Sequence, residues 1–147
     1  MRTATRTLAA VLALTATVAV AAEGVQDPLV KARQDLMGSI MRHTMTLGDM
    51  ASGKNAFDAS AAAAAREGLV AAAADIPVKF ETRADDPKSE AVVDRLWANF
   101  ADFAAKGAAL GSAAGALDAA SLAGVQAGMG PTGAPCRDCH STYRARR

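Results

Sequence analysis

Five consecutive residues, Cys136-Arg137-Asp138-Cys139-His140, have the types and the spacing to do chemistry. They hold both cysteines of the chain and one of its two histidines. Cys-x-x-Cys-His is the spacing that attaches c-type haem. Two thiols add to the two haem vinyl groups as thioethers, and two intervening residues match the distance between those groups. The adjacent histidine is then held beneath the iron, where its imidazole is the proximal ligand. Cys136 and Cys139 are assigned to the thioethers and His140 to the iron.

Three other uses of these residues are weaker. A disulfide between Cys136 and Cys139 would close a very small loop and constrain little. A redox Cys-x-x-Cys of the thioredoxin kind sits beside a βαβ pattern, and no strand alternation is evident. A structural zinc site needs about four ligands. Cys136, Cys139 and His140 supply three, and His43 is the only other histidine.

The bulk properties fit an exported helical protein. Arg2 and Arg6 precede an apolar run from Leu8 to Val20, with small residues at Ala19, Ala21 and Ala22. That is the pattern of a secretory signal peptide, expected over residues 1–22 with the cut after Ala21 or Ala22. The run is shorter than the roughly 20 apolar residues of a membrane span. Loss of the two arginines would turn the net charge from +1 to −1. A near-neutral mature chain argues against nucleic acid or an anionic membrane as partner. Aromatics are only 4% and alanine is abundant, so a large apolar cofactor would help to fill the core. No nucleophile, base and acid constellation marks an enzyme.

Four amphipathic helices must position the site. Asp27-Pro28 is a start signal. The helix it opens runs to about Ala51 with Leu29, Leu36, Ile40, Leu47 and Met50 on one face, and Gly53-Lys54-Asn55 ends it. Asp58 or Ser60 caps an alanine-rich second helix through Ala74, which Ile76-Pro77 breaks, leaving a loop over 76–88. Pro87 to Glu90 opens a third helix, with Val93, Leu96, Trp97, Phe100, Phe103 and Ala104 on its face. It runs to about Leu110, and Gly111 to Gly115 is a break. Asp118 opens a fourth helix to about Gly128. Glycines and prolines up to Pro135 interrupt it, and a last stretch covers Cys136 to Arg146. The fold class is all-α, an antiparallel four-helix bundle over residues 23–147.

A bundle with its attachment motif late in the chain resembles the class II c-type cytochromes, the cytochrome c prime superfamily. The resemblance covers nearly the whole mature chain. It rests on Arg33-Gln34, Leu36-Met37, Gly53, Phe57-Asp58, Trp97, and Cys-x-x-Cys-His-x-x-Tyr-Arg at 136–144. It implies one covalent haem c in a periplasmic protein. Arg33 and Gln34 would reach the haem propionates and Arg144 would lie over the proximal face, while Trp97, Phe100 and Phe103 read as core, with contact to the haem as an alternative for Trp97. Many relatives are homodimers through the first two helices. Pro135 departs from the pattern: a last helix continuous through the motif should be kinked there or restart.

The far side of the iron decides the function. The superfamily's distal position falls on Met37, one turn after Arg33 on the same helix face. Methionine with histidine raises the reduction potential and suits electron transfer. The local residues Leu36-Met37, Arg42, Leu47-Gly48 and Pro131 look closer to the low-spin, methionine-ligated members. Met41 is one turn beyond Met37. Met45, Met50 and Met129 read as core. His43 lies well off the Met37 face and reads as a helix-face or interface residue. The expectation is therefore a periplasmic monohaem cytochrome that exchanges single electrons with redox partner proteins through an iron held by His140 and Met37. The alternative is a five-coordinate, high-spin protein that takes nitric oxide or carbon monoxide.

Overall fold

A computed structural model describes residues 24–145. The expected signal peptide and its cut lie outside the described residues. Five helices follow: α1 (Pro28–Ala51), α2 (Ala59–Phe80), α3 (Val93–Ala98), α4 (Phe100–Gly115) and α5 (Leu122–Tyr143). The four long ones close a ring in which α1 packs on α2, α2 on α4, α4 on α5, and α5 back on α1. The short α3 rides on α4 and α5.

The start of α1 follows the sequence. The Asp27 carboxylate accepts from the backbone N–H of Leu29 at 2.8 Å and of Val30 at 3.0 Å, and Pro28 opens the first turn. This cap satisfies N–H groups that have no partner within the helix. Asp86, from the connection after α2, reinforces it by accepting from Gln26 N–H and Asp27 N–H. Leu36, Ile40, Leu47 and Met50 are buried as expected, but Leu29 is 42% exposed. Helical side chains lean toward the N-terminus, so a first-turn leucine projects past the end of the bundle. Gly53 ends the helix region at φ +76°, a left-handed conformation that favours glycine.

Three expected boundaries are corrected. The second helix does not break at Ile76-Pro77 but continues one turn to Phe80. Pro77 removes one helical N–H, yet Ile76 and Phe80, four residues apart, are both buried in the core. That packing outweighs the local defect. The third expected helix is two. Residues 87–92 are not helical, and α3 and α4 are separated at Asn99 (φ −129°, ψ 39°). Gly111 to Gly115 is not a break but the last turns of α4. Gly107 of α4 is a place of close approach: a Cβ there would lie 3.2 Å from Ile76 Cγ2.

The fourth expected helix and the last stretch are one continuous α5, with both Pro131 and Pro135 inside it. It starts at Ser121, whose hydroxyl accepts from Gly124 N–H at 3.0 Å. Asp118 instead shapes the preceding turn, accepting from Ala120 N–H and the Ser121 hydroxyl. Gly124 and Gly128 let that turn fold back onto the helix, since a Cβ on Gly128 would lie 2.6 Å from Leu117 Cγ. At its far end α5 is clipped to the α2–α3 connection. Val92 N–H donates to Tyr143 C=O, Ala145 N–H donates to Glu90 C=O, and Glu90 pairs with Arg144.

The core is alanine and leucine between the long helices, with an aromatic group near the clipped end. Phe103 packs on Phe80 at 4.9 Å and meets Tyr143 edge-on at 5.4 Å. Trp97 and Phe100 are half-buried against the same group. Met50 is buried, but Met45, read as core, is 51% exposed. It falls on the α1 face turned away from Leu36 and Ile40.

Candidate functional site

The inward stripe of α5 is set by spacing. Val125, Thr132, Cys136, Cys139 and Tyr143 recur at intervals of seven, four, three and four, so they share one helix face. Val125, Thr132 and Tyr143 are buried. The two cysteines are half-buried, unpaired and packed against the core. The motif therefore presents both sulfurs inward from one continuous helix, in spite of Pro135.

Burial raises both thiols. Cys136 is pushed up by desolvation, and its Sγ lies 3.8 Å from Thr132 C=O, one turn back. Cys139 is pushed up to about 11, mainly by burial, with Lys106 acting in the opposite direction. His140 stands beside the stripe and keeps part of its ring open to solvent. Partial desolvation, then Arg144 one turn on, hold it below the usual histidine range, against a smaller opposing effect of Glu90. A lowered value favours the neutral imidazole, which is the form that ligates metal.

Opposite this stripe lies α1. Gln126 donates to Ala51 C=O at 2.9 Å, and a Cβ on Gly48 would lie 3.6 Å from the Met129 methyl. Both contacts fit one antiparallel register. Carried along the two helices, it sets Met37 level with His140 and Met41 level with Cys136. Met37 is half-buried at the core edge, whereas Met41 is 61% exposed. His43 is turned to a different neighbour: a Cβ on Gly68 of α2 would lie 2.4 Å from its ring. It belongs to the α1–α2 seam.

Arg33 is buried, 4% exposed. Its Nε and Nη1 donate to the carbonyls of Lys79 and Ala84, each at 3.0 Å, and its Nη2 donates to that of Thr82. The guanidinium stacks against Phe80 at 4.9 Å and Trp97 at 5.0 Å. A guanidinium has five N–H donors, so two remain beyond these three bonds. Burial lowers its pKa, but arginine stays charged in proteins. Gln34 is exposed on the adjacent surface of α1. Arg144 is held by Glu90, with Nε donating to Oε2 at 2.7 Å.

The α4 side of the site carries no motif in the sequence. Lys106 bridges Asp138, the residue before Cys139, at 2.5 Å and Asp102 at 3.8 Å. Asp102 accepts the Tyr143 hydroxyl at 2.6 Å. The available sign was the Asp102–Lys106 pair at helical spacing in an otherwise uncharged helix.

These residues fit a covalently held haem. Two free thiols on a core-facing stripe have the chemistry of attachment. Within the same stripe the Thr132 hydroxyl oxygen is buried with no hydrogen-bond partner, which marks surroundings not completed by protein alone. Among the described residues, no three His, Cys, Asp or Glu side chains converge to hold a metal ion by themselves.

A helical bundle with Cys-x-x-Cys-His on its last long helix defines a class II c-type cytochrome. The family model described as cytochrome c′ matches residues 28–144, and the chain belongs to that family. Cytochrome c-556 of Agrobacterium fabrum is 34% identical over 121 residues, covering 80% of this chain and 82% of its own. Cytochrome c′ of Cereibacter sphaeroides is 32% identical over 146 residues, covering 95% and 97%. Among solved structures, R. palustris cytochrome c556 superposes with a TM-score of 0.71 at 29% identity, covering 83% of this chain and 99% of its own. A nitric oxide complex of a variant cytochrome c prime from Alcaligenes xylosoxidans superposes with a TM-score of 0.67 at 26% identity, covering 80% and 94%. The cofactor is one covalently attached haem c, and the cysteines at 136 and 139 fit its attachment motif. The class comprises electron carriers and gas binders.

Proposed function

We propose that this protein is a periplasmic one-electron carrier whose haem iron would be held by His140 and Met37. Cys136 and Cys139 are the thioether residues, and Arg33 and Gln34 lie toward the propionates. When bound, the haem supplies a reversible one-electron couple. The protein would hold it through core-facing cysteines on α5 and tune it. His140 offers a neutral imidazole from α5. Met37 offers a thioether from α1, and this pairing favours the reduced iron. The observation that carries the reading is the α1–α5 register, in which Met37 is half-buried and level with His140. The two remaining N–H groups of Arg33 suit a carboxylate. Residues 1–22 would be removed on export, and redox proteins of the same compartment would be the partners.

The test is the absorption spectrum of oxidised and reduced holo-protein, with Met37→Ala beside it. A low-spin spectrum with the far-red methionine–iron band, lost in Met37→Ala, is the expected result. A high-spin spectrum in the unmodified protein would remove Met37 from the iron. The second reading, a five-coordinate gas-binding site, then takes its place. It is favoured by the likeness to a cytochrome c prime solved with nitric oxide, and carbon monoxide or nitric oxide titration of the reduced protein would read it directly.

A further inference from the structure

Lys106 is the one cation of α4, and it is held at two points. Its ammonium lies 2.5 Å from Asp138 Oδ2 and 3.8 Å from Asp102 Oδ1. The lysine side chain is 19% exposed, while those of Asp102 and Asp138 are 57% and 61% exposed. So most of the lysine side chain is covered, and it ends between two carboxylates that face water. Asp102 is itself fixed by the Tyr143 hydroxyl. Asp138, Lys106, Asp102 and Tyr143 thus form one line across the α4–α5 seam.

This line runs beside the haem-attachment turn. Asp138 stands between Arg137 and Cys139, inside the motif. Lys106 lies close enough to Cys139 for its charge to act on that sulfur. Oxidised haem iron carries one more positive charge than reduced iron. A fixed cation beside it disfavours the oxidised form and raises the reduction potential. The two carboxylates act in the opposite sense. With Lys106 the three side chains sum to −1; without it they sum to −2.

We propose that Lys106 is a positioning and potential-setting residue of the haem site, its charge locked beside the attachment turn by Asp138 and Asp102. The proposal rests on haem attachment at Cys136 and Cys139. It is independent of which group faces the far side of the iron.

The experiment is spectroelectrochemical titration of holo-protein for the unmodified chain, Lys106→Met, Lys106→Arg and Asp102→Asn. Haem content is measured on the same samples as the pyridine haemochrome. Lys106→Met should lower the midpoint potential, Lys106→Arg should return most of the shift, and Asp102→Asn should raise it. General loosening of the seam would move Lys106→Met and Asp102→Asn in the same direction, and that result overturns the proposal. So does an unmoved potential in Lys106→Met at full haem content. If Lys106→Met does not accumulate, Asp102→Asn decides alone, and an unchanged or lowered potential refutes the idea. Absence of haem from the unmodified protein would instead defeat the attachment on which the proposal stands.

Discussion

Arg33 is a cation placed where a hydrophobic residue would ordinarily sit. Three carbonyls from the end of α2 and the segment after it, together with two aromatic faces, compensate for its burial. Arg33→Met should therefore cost about 3 kcal/mol, from orphaned carbonyls and lost cation–π contacts. Arg33→Lys keeps the charge but not the planar fork, and should recover less than half. Urea unfolding followed by the single Trp97 reads both. Tyr143 gives a second test at this scale. Its hydroxyl donates to Asp102, and that bond, ahead of desolvation, pushes the phenol up to about 12. A raised folded pKa means that the contribution is fully present below the unfolded value of about 10. It is lost as pH rises toward the folded one. Tyrosinate absorption should therefore appear near pH 12 in the folded protein, and Tyr143→Phe should flatten the alkaline loss of stability. Tyr143 is the only tyrosine, so the signal has one source.

At the scale of elements, the glycines of α4 divide by what lies above them. A Cβ on Gly107 would press on Ile76 Cγ2 at 3.2 Å and Cβ at 3.3 Å, both deep in the core. A Cβ on Gly111 would meet Ala73 at 3.5 Å, an ordinary contact. Alanine in a helix gains about 1 kcal/mol over glycine, but overpacking costs about 1–3 kcal/mol. Gly111→Ala should stabilise the protein by up to about 1 kcal/mol and Gly107→Ala should destabilise it by a similar amount, as thermal unfolding would show. These contacts also explain why some helix limits were not legible locally. Gly111, Gly115, Pro77, Pro131 and Pro135 are breakers by intrinsic preference. Each is nevertheless helical, because neighbouring turns are held by residues far away in sequence. Asn99 carries no strong breaker signal, yet the chain bends there so that Leu96 and Phe103 can both be buried.

For the whole molecule, the fold class could be read from sequence because it depends on repetition. Leu36, Ile40, Leu47 and Met50 repeat at helical spacing, and Asp27-Pro28 and Gly53 punctuate them. The attachment motif was legible because its chemistry lies within five adjacent residues. What stayed hidden is non-local. The carbonyls around Arg33 come from residues 79–84, and the partner of Asp138 is Lys106. No spacing rule links such positions before the helices are arranged. The proposed ligation by Met37 is intermediate: the resemblance indicated the residue, and only the α1–α5 register gives it a level in the bundle.

That register has a consequence for how the chain comes together. Three of the four seams join helices that are neighbours along the polypeptide, apart from the short α3. The fourth joins α1 to α5 and encloses about a hundred residues between Met37 and His140. Closing so large a loop is the slow and entropically costly step. A sulfur–iron bond across it would form only in the folded arrangement and would stabilise that arrangement as a ligand bound to the native state alone does. Rising denaturant should then release the methionine–iron band together with, or ahead of, the helical circular dichroism signal, and never after it. Added imidazole, which competes for the iron, should lower the denaturant midpoint. With Met37 on the iron, the cofactor would also be the last fastening of the fold.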